Sequence, residues 1–188
     1  MIFTPARIAG AWIVDPEPMA DERGFFARTV CVETFAAHGI DARFVQQSVS
    51  RNTRAGILRG MHFQRGAHAE DKLVRVTTGA VHDVILDLRP ESPTYLQWQA
   101  VMLDAEAQRA IFIPKGVAHG FQTLTPLSEV FYQMTVPFAP GSSAGVRWDD
   151  PAIGIDWPGC ADRLISAKDL ALPTLAELAA QSQLHPEN

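Results

Sequence analysis

A chain of 188 residues, 47% hydrophobic and 20% charged, has the balance of a globular protein. It suits a single domain over residues 1–188 that buries a core without metals or disulfides. A net charge of −5 excludes a general nucleic-acid binder, which needs a basic face, yet a few converging cations can still hold an anionic small molecule. Cys31 and Cys160 are too few for a disulfide framework, the start lacks a signal-peptide pattern and no apolar run is long enough for a bilayer, so a cytoplasmic protein without membrane contact is expected.

In chain order, residues 33–38 predict a helix of about two turns, with Gly39 as its C-terminal cap. Arg-Gly-Met-His-Phe-Gln at 59–64 then places His62 in a strand. Short strands follow at 73–78, 81–88, 95–103, 111–113, 120–124 and 130–136, with turns at Gly79 and 90–93. These runs are rich in β-branched and aromatic residues and punctuated by Gly and Pro, which predicts an all-β antiparallel sandwich or barrel. Residues 137–173 are strand-poor and rich in Gly, Pro and Asp, so ordered loops wrapping the barrel are expected. Thr174 and Glu177 form a capping-box pair, and Leu175, Leu178 and Ala179 give the following helix an apolar face to dock. His185 to Asn188 are expected to fray. The chain carries no repeat or linker.

His62 stands beside Gly60, a residue that permits close backbone approach or a bulge. Arg59 lies an odd number of residues away, so strict alternation puts it on the opposite face. Only a bulge at Gly60 brings both to one site. Lys72 precedes the next strand and is placed at the barrel mouth. Pro-Lys-Gly-Val-Ala-His at 114–119 is a turn into a strand carrying His119, and it has the Pro-x-Gly-x-x-His form of the second cupin motif. His62 falls where the first motif begins its His-x-His pair, but Gln64 replaces the second histidine. That moves the reading from metal chemistry to proton transfer, because a metal barrel needs three or four convergent ligands. His62, His119 and the poorly placed Glu70 remain as a weak metal set. Period two turns Val130, Tyr132, Met134 and Val136 inward, making Tyr132 either a core residue or a phenol in the site. Asp83 and Asp87 share a face with Val81 and Ile85, so each needs a histidine or arginine partner. Asp169 shows nothing special locally.

With these motifs in place, the chain resembles the dTDP-4-dehydrorhamnose 3,5-epimerase family over nearly its whole length. The resemblance rests on Asp-Glu-Arg-Gly-Phe-Phe at 21–26, Phe-Val-Gln at 44–46, Leu-Arg-Gly-Met-His-Phe-Gln at 58–64 and Lys-Leu-Val-Arg at 72–75. It continues in Asp-Val-Ile-Leu-Asp-Leu-Arg at 83–89, Glu-Ser-Pro-Thr at 91–94, Ala-His-Gly-Phe at 118–121, Ala-Ile-Gly-Ile-Asp-Trp-Pro at 152–158 and Leu-Ile-Ser-Ala-Lys-Asp at 164–169. It implies a cupin-type double-stranded β-helix, a jelly-roll barrel with a few short peripheral helices. It also implies a cofactor-independent, metal-free epimerase acting at C3, C5 or both of a nucleotide-diphosphate 4-keto-6-deoxy sugar. By resemblance His62 is the base, Asp169 its partner, Lys72 the cation beside the carbonyl oxygen and Tyr132 the proton donor from the opposite face. His119 lines the sugar site with Asp83 as its partner, Arg23 and Arg59 clamp the diphosphate, and Phe26 joins the nucleotide pocket. The family forms dimers whose N-terminal segments cross to the partner's site, so a homodimer is expected.

Three positions depart from the family pattern. Arg28 stands where a glutamate contacts thymine, and Ser48, two residues after Gln46, replaces an asparagine. These changes favour another nucleotide, CDP or GDP, unless Arg28 points to solvent and thymine is held differently. Phe138 replaces a second tyrosine near the sugar, which favours inversion at one carbon. A metal-dependent cupin (dioxygenase or isomerase) and a non-catalytic sugar-nucleotide-binding cupin are the rival readings.

Overall fold

The computed structural model describes residues 1–184; His185 to Asn188, where fraying is expected, lie outside the described residues. In chain order the strands are β1 (Ile2–Pro5), β2 (Trp12–Asp15), β3 (Met19–Asp21), β4 (Gly24–Phe26), β5 (Gln46–Asn52), β6 (Ile57–Gln64) and β7 (Lys72–Thr78). They continue as β8 (Ala80–Asp87), β9 (Trp98–Asp104), β10 (Ala110–Ile113), β11 (Val117–Thr123), β12 (Ser128–Met134), β13 (Ser143–Gly145) and β14 (Leu164–Ile165). The helices are α1 (Val32–Ala36), α2 (Ala167–Leu170) and α3 (Leu175–Leu184). One sheet runs β1-β2-β10-β7-β12-β5 and the other β13-β6-β11-β8-β9, with β14 joining β6 alongside β13. From β9 onward the chain passes back and forth between the sheets, the crossing pattern of a jelly roll. The hairpin β3–β4 stands apart from both.

Alternation explains the layers. Val74 and Val76 of β7, Ile111 and Ile113 of β10 and Val130 of β12 point inward and meet Val81, Ile85, Leu103 and Phe121 of the facing sheet. The intervening residues serve two outer layers. Leu73, Ala110 and Phe112 pack under Phe35 of α1 and Ile40, while Leu58, Met61, Val84 and Leu86 are covered by Val146, Trp157 and Leu178. Each fully buried aliphatic side chain contributes about 1.5–3 kcal/mol by leaving water, so the wrapping segments are held by the same force as the barrel.

Several boundaries differ from the expected ones. The strand expected at 95–103 begins only at Trp98, because the turn after β8 is longer. Leu96 has φ +61°, and its amide donates to the Asp87 carbonyl at 2.8 Å. Residues 137–173 do more than wrap: β13 and β14 hydrogen-bond to β6, and α2 interrupts the loop. The first helix spans Val32–Ala36 rather than 33–38 and is followed by Gly39 at φ +75°. At the start of α3 the Thr174 amide donates to Glu177 Oε2 at 2.7 Å and the Glu177 amide to Thr174 Oγ1 at 3.3 Å, the reciprocal bonds of a capping box. Leu175 and Leu178 dock on the barrel, and Ala179 stays exposed.

Candidate active site

A cavity of about 410 Å³ opens at the end of the barrel where β6 finishes and β7 begins. Its shape depends on one extra residue. His119 pairs with His62 and Phe121 with Arg59, so β6 advances three residues while β11 advances two, which is a bulge. Arg59 and His62 consequently line the same cavity despite their odd spacing. Gly60 lies at φ +128°, and a Cβ there would run into the Gly120 Cα and the His119 carbonyl. The glycine beside each histidine is therefore what lets the two strands meet.

His62 Nε2 lies 2.7 Å from Asp169 Oδ1. With the proton on Nε2, that N–H donates to the carboxylate and Nδ1 is the lone-pair nitrogen. Ser166 caps α2 by accepting the Asp169 amide at 3.1 Å, which fixes the carboxylate in the first turn. Burial by itself would raise the Asp169 carboxyl. The His62 bond and charge, with contributions from Gly60 and Ser166, outweigh it and hold the group below its ordinary value. His119 Nε2 is bound in the same way to Asp83 Oδ2 at 2.7 Å, and both residues are buried.

Tyr132 projects from β12 into this cavity with its ring edge-on to His119, centroids 5.8 Å apart. Burial first, then the charge of Asp83, push the phenol above its ordinary value, with Arg59 opposing. Lys72 Nζ contacts Glu70 Oε1 at 2.8 Å and the His62 carbonyl at 3.5 Å. Arg59 donates Nε to Asn52 Oδ1 at 2.9 Å, and Asn52 is anchored by Nδ2 bonds to the Ser50 and Ser128 carbonyls.

Of the residues read from sequence, His62, Asp169, Lys72, Tyr132, Arg59, His119 and Phe138 line one cavity. Gln46 lies at its rim, where Oε1 accepts the Phe138 amide at 2.8 Å. Ser48 is paired with Tyr132 across the ladder but is exposed, outside the lining set. Arg23, Phe26 and Arg28 do not reach the cavity of their own chain. Arg23 and Phe26 sit on the β3–β4 hairpin, where Arg23 pairs with Asp21 and Phe26 is 68% exposed, and Arg28 follows, also exposed. Glu70 corrects its expected poor placement: it is buried in the wall, on Lys72 and Gln64. The three groups weighed as metal ligands are thus each bound elsewhere. Among the described residues no cluster of three His, Cys, Asp or Glu is disposed to hold a metal.

The model of the dTDP-4-dehydrorhamnose 3,5-epimerase family matches residues 5–177. The chain belongs to this family. It is 44% identical over 176 residues to the dTDP-4-dehydrorhamnose 3,5-epimerase of Salmonella typhimurium, covering 93% of this chain and 96% of that one. Among solved structures it resembles the Legionella pneumophila dTDP-6-deoxy-D-glucose-3,5-epimerase in complex with dTDP-4-keto-L-rhamnose, with a TM-score of 0.89, 37% identity and coverage of 96% and 95%. It also resembles a 3'-monoepimerase of Streptomyces bikiniensis in complex with dTDP-quinovose, with a TM-score of 0.85, 32% identity and coverage of 97% and 98%. As a member of the dTDP-4-dehydrorhamnose 3,5-epimerase family the chain is an epimerase, with the family's jelly-roll fold.

Sequence reasoning missed several parts of this epimerase's cavity. Ser50 and Lys168 line it, and Asn52 supports Arg59. Ser50 and Asn52 continue the alternation begun by Ser48, a signal that recognising β5 would have supplied. Lys168 adjoins Asp169, yet nothing local marks it.

Proposed function

We propose that this epimerase inverts C3, C5 or both in a nucleotide-diphosphate 4-keto-6-deoxy sugar, dTDP being the carrier, by deprotonation and reprotonation next to the ketone. His62 Nδ1 takes the C–H proton, and the C–H electron pair moves into an enolate whose oxygen lies beside Lys72. A cation there stabilises charge that grows only in the transition state. Asp169 holds the tautomer and balances the imidazolium. Tyr132 gives its hydroxyl proton to the opposite face of the same carbon, which inverts it. Because burial keeps the phenol protonated, the donor form is present throughout the neutral range. His119, held by Asp83, and Phe138 border the sugar, while Arg59 binds the diphosphate with the guanidinium nitrogens that Asn52 leaves free. Gln46 and Ser48 border the nucleotide side. The described chain works as one domain in a cytoplasmic homodimer, in which Arg23, Phe26 and Arg28 complete the second copy's cavity.

The observation that carries this reading is the pairing of His62 with Asp169 in a cavity shared by Tyr132 and Lys72. Incubation with dTDP-4-keto-6-deoxyglucose in D2O, followed by NMR, tests it. Deuterium should enter beside the ketone, and His62→Ala should abolish incorporation while retaining nucleotide binding. Normal exchange in that variant removes His62 from the reaction. A calorimetric panel of dTDP, CDP and GDP tests the carrier: dTDP, the nucleotide in the complexes of similar solved structures, should bind tightest, and equal affinities would reject the assignment.

A further inference from the structure

Glu70 is the buried ionisable group of the cavity wall that the reaction above leaves without a task. Both its oxygens are engaged: Oε1 by Lys72 Nζ at 2.8 Å and Oε2 by Gln64 Nε2 at 2.8 Å. The two side chains of this ion pair are 13% and 4% exposed. A buried ion pair is a poor device for stability, since apolar residues of similar volume do as well or better. Its place in a substrate cavity therefore points to a use in the site.

Gln64 makes the arrangement rigid. Its Nε2 also reaches the His68 carbonyl at 3.0 Å, and its Oε1 accepts the Ala139 amide at 2.6 Å. Donors and acceptors on both sides stop the amide from turning, so Glu70 is presented as a fixed acceptor. Lysine has a long flexible stem and three rotatable donors, and a free ammonium would wander over much of the cavity. Here one N–H is committed to Glu70, and Nζ lies 3.5 Å from the His62 carbonyl, a long contact open to a second N–H. Those two anchors aim the third.

We propose that Glu70, clamped by Gln64, is a positioning residue that aims the Lys72 ammonium at the ketone oxygen. This inference rests on the enolate-stabilising role given to Lys72 above. On this proposal the ammonium stands between the carboxylate and the ketone oxygen, so the nearer cation dominates the charge the enolate meets.

The test compares Glu70→Ala, Glu70→Gln, Lys72→Met and the double variant Glu70→Ala/Lys72→Met, by steady-state kinetics and by deuterium entry followed for hours. Circular dichroism checks folding. Glu70→Ala should lower kcat and exchange by about 10- to 100-fold, the scale of a misplaced catalytic group, with KM changed less than about threefold. Glu70→Gln keeps an acceptor for Lys72 and should recover most of that loss. In the Lys72→Met background, Glu70→Ala should cost nothing more, because Glu70 acts through the ammonium. Equal costs in both backgrounds, or a fully active Glu70→Ala, would overturn the inference. If Glu70→Ala does not fold, Glu70→Gln carries the same comparison: a loss of a few-fold beside Lys72 and none beside Met. Absence of exchange in the unsubstituted enzyme would defeat the parent reading, and this inference with it. Exchange that is indifferent to Glu70 defeats the inference alone.

Discussion

Two histidines each hold a carboxylate at 2.7 Å, yet they differ in access. The His62 side chain is 37% exposed and that of His119 is 5% exposed. A base must meet its substrate, so the difference in exposure supports the proposed proton transfer at His62 and a wall position for His119. Tyr132 is the complementary partner, and the two roles separate in kinetics. Tyr132→Phe should slow net inversion by about 100-fold or more while slowing deuterium exchange far less, because the base can still remove and return a proton on its own face. Equal losses in the two assays would reject that division. The places of His62, Lys72 and Tyr132 were legible from Gly60, from the position of Lys72 ahead of β7 and from the period of β12, whereas their expected roles came from the family resemblance. The place of Asp169 was not legible, because its partner lies 107 residues earlier and no local pattern encodes so distant a contact. Glu70 was misplaced for a related reason: its two partners are side chains whose direction depends on a turn.

At the scale of elements, the central strands could be read because they bury apolar residues on one or both faces. Several peripheral strands could not. β5 reads Gln-Gln-Ser-Val-Ser-Arg-Asn, and while Ser50 lines the cavity, its outer edge is unpaired among the described strands. β1 and β2 are four residues each, too short for periodicity to show. The turn after β8 was half legible: a proline-bounded turn and a histidine or arginine partner for Asp87 were expected, but not that this acid organises the turn. Asp87 accepts from Arg89, Ser92 and Thr94, and Arg89 in turn reaches the Ala9 carbonyl at 2.7 Å. Burial alone would raise the Asp87 carboxyl, but these bonds prevail and lower it to about 2. Its folded value is below the unfolded one, so the stabilisation is complete above about pH 4 and fades as pH falls toward 2. Asp87→Asn should therefore cost about 2 kcal/mol at pH 7. It should also flatten the acid limb of stability in denaturant titrations between about pH 4 and 2. An unchanged acid limb would show that the network is incidental.

The molecule exposes apolar groups at several places, two of which bear on how copies could pair. Phe25 and Phe26 on the hairpin are 55% and 68% exposed, and Val45 and Val49 stand exposed along β5. Apolar surface of this kind beside an open strand edge marks an interaction face, which supports the proposed pairing of two copies. A mixing experiment tests whether the cavities are shared. Arg23→Ala and His62→Ala should each be inactive or nearly so. Refolded together in equal amounts they should recover about a quarter of wild-type activity, because half the dimers are mixed and each mixed dimer has one intact site. No recovery would place Arg23 outside the partner's site.

The outward reach of the hairpin carries one further consequence. If Arg23 serves a neighbour, catalytic output per chain depends on how many chains are present. Dilution past the dissociation midpoint would then silence folded, chemically intact subunits, and added concentrated protein would revive them.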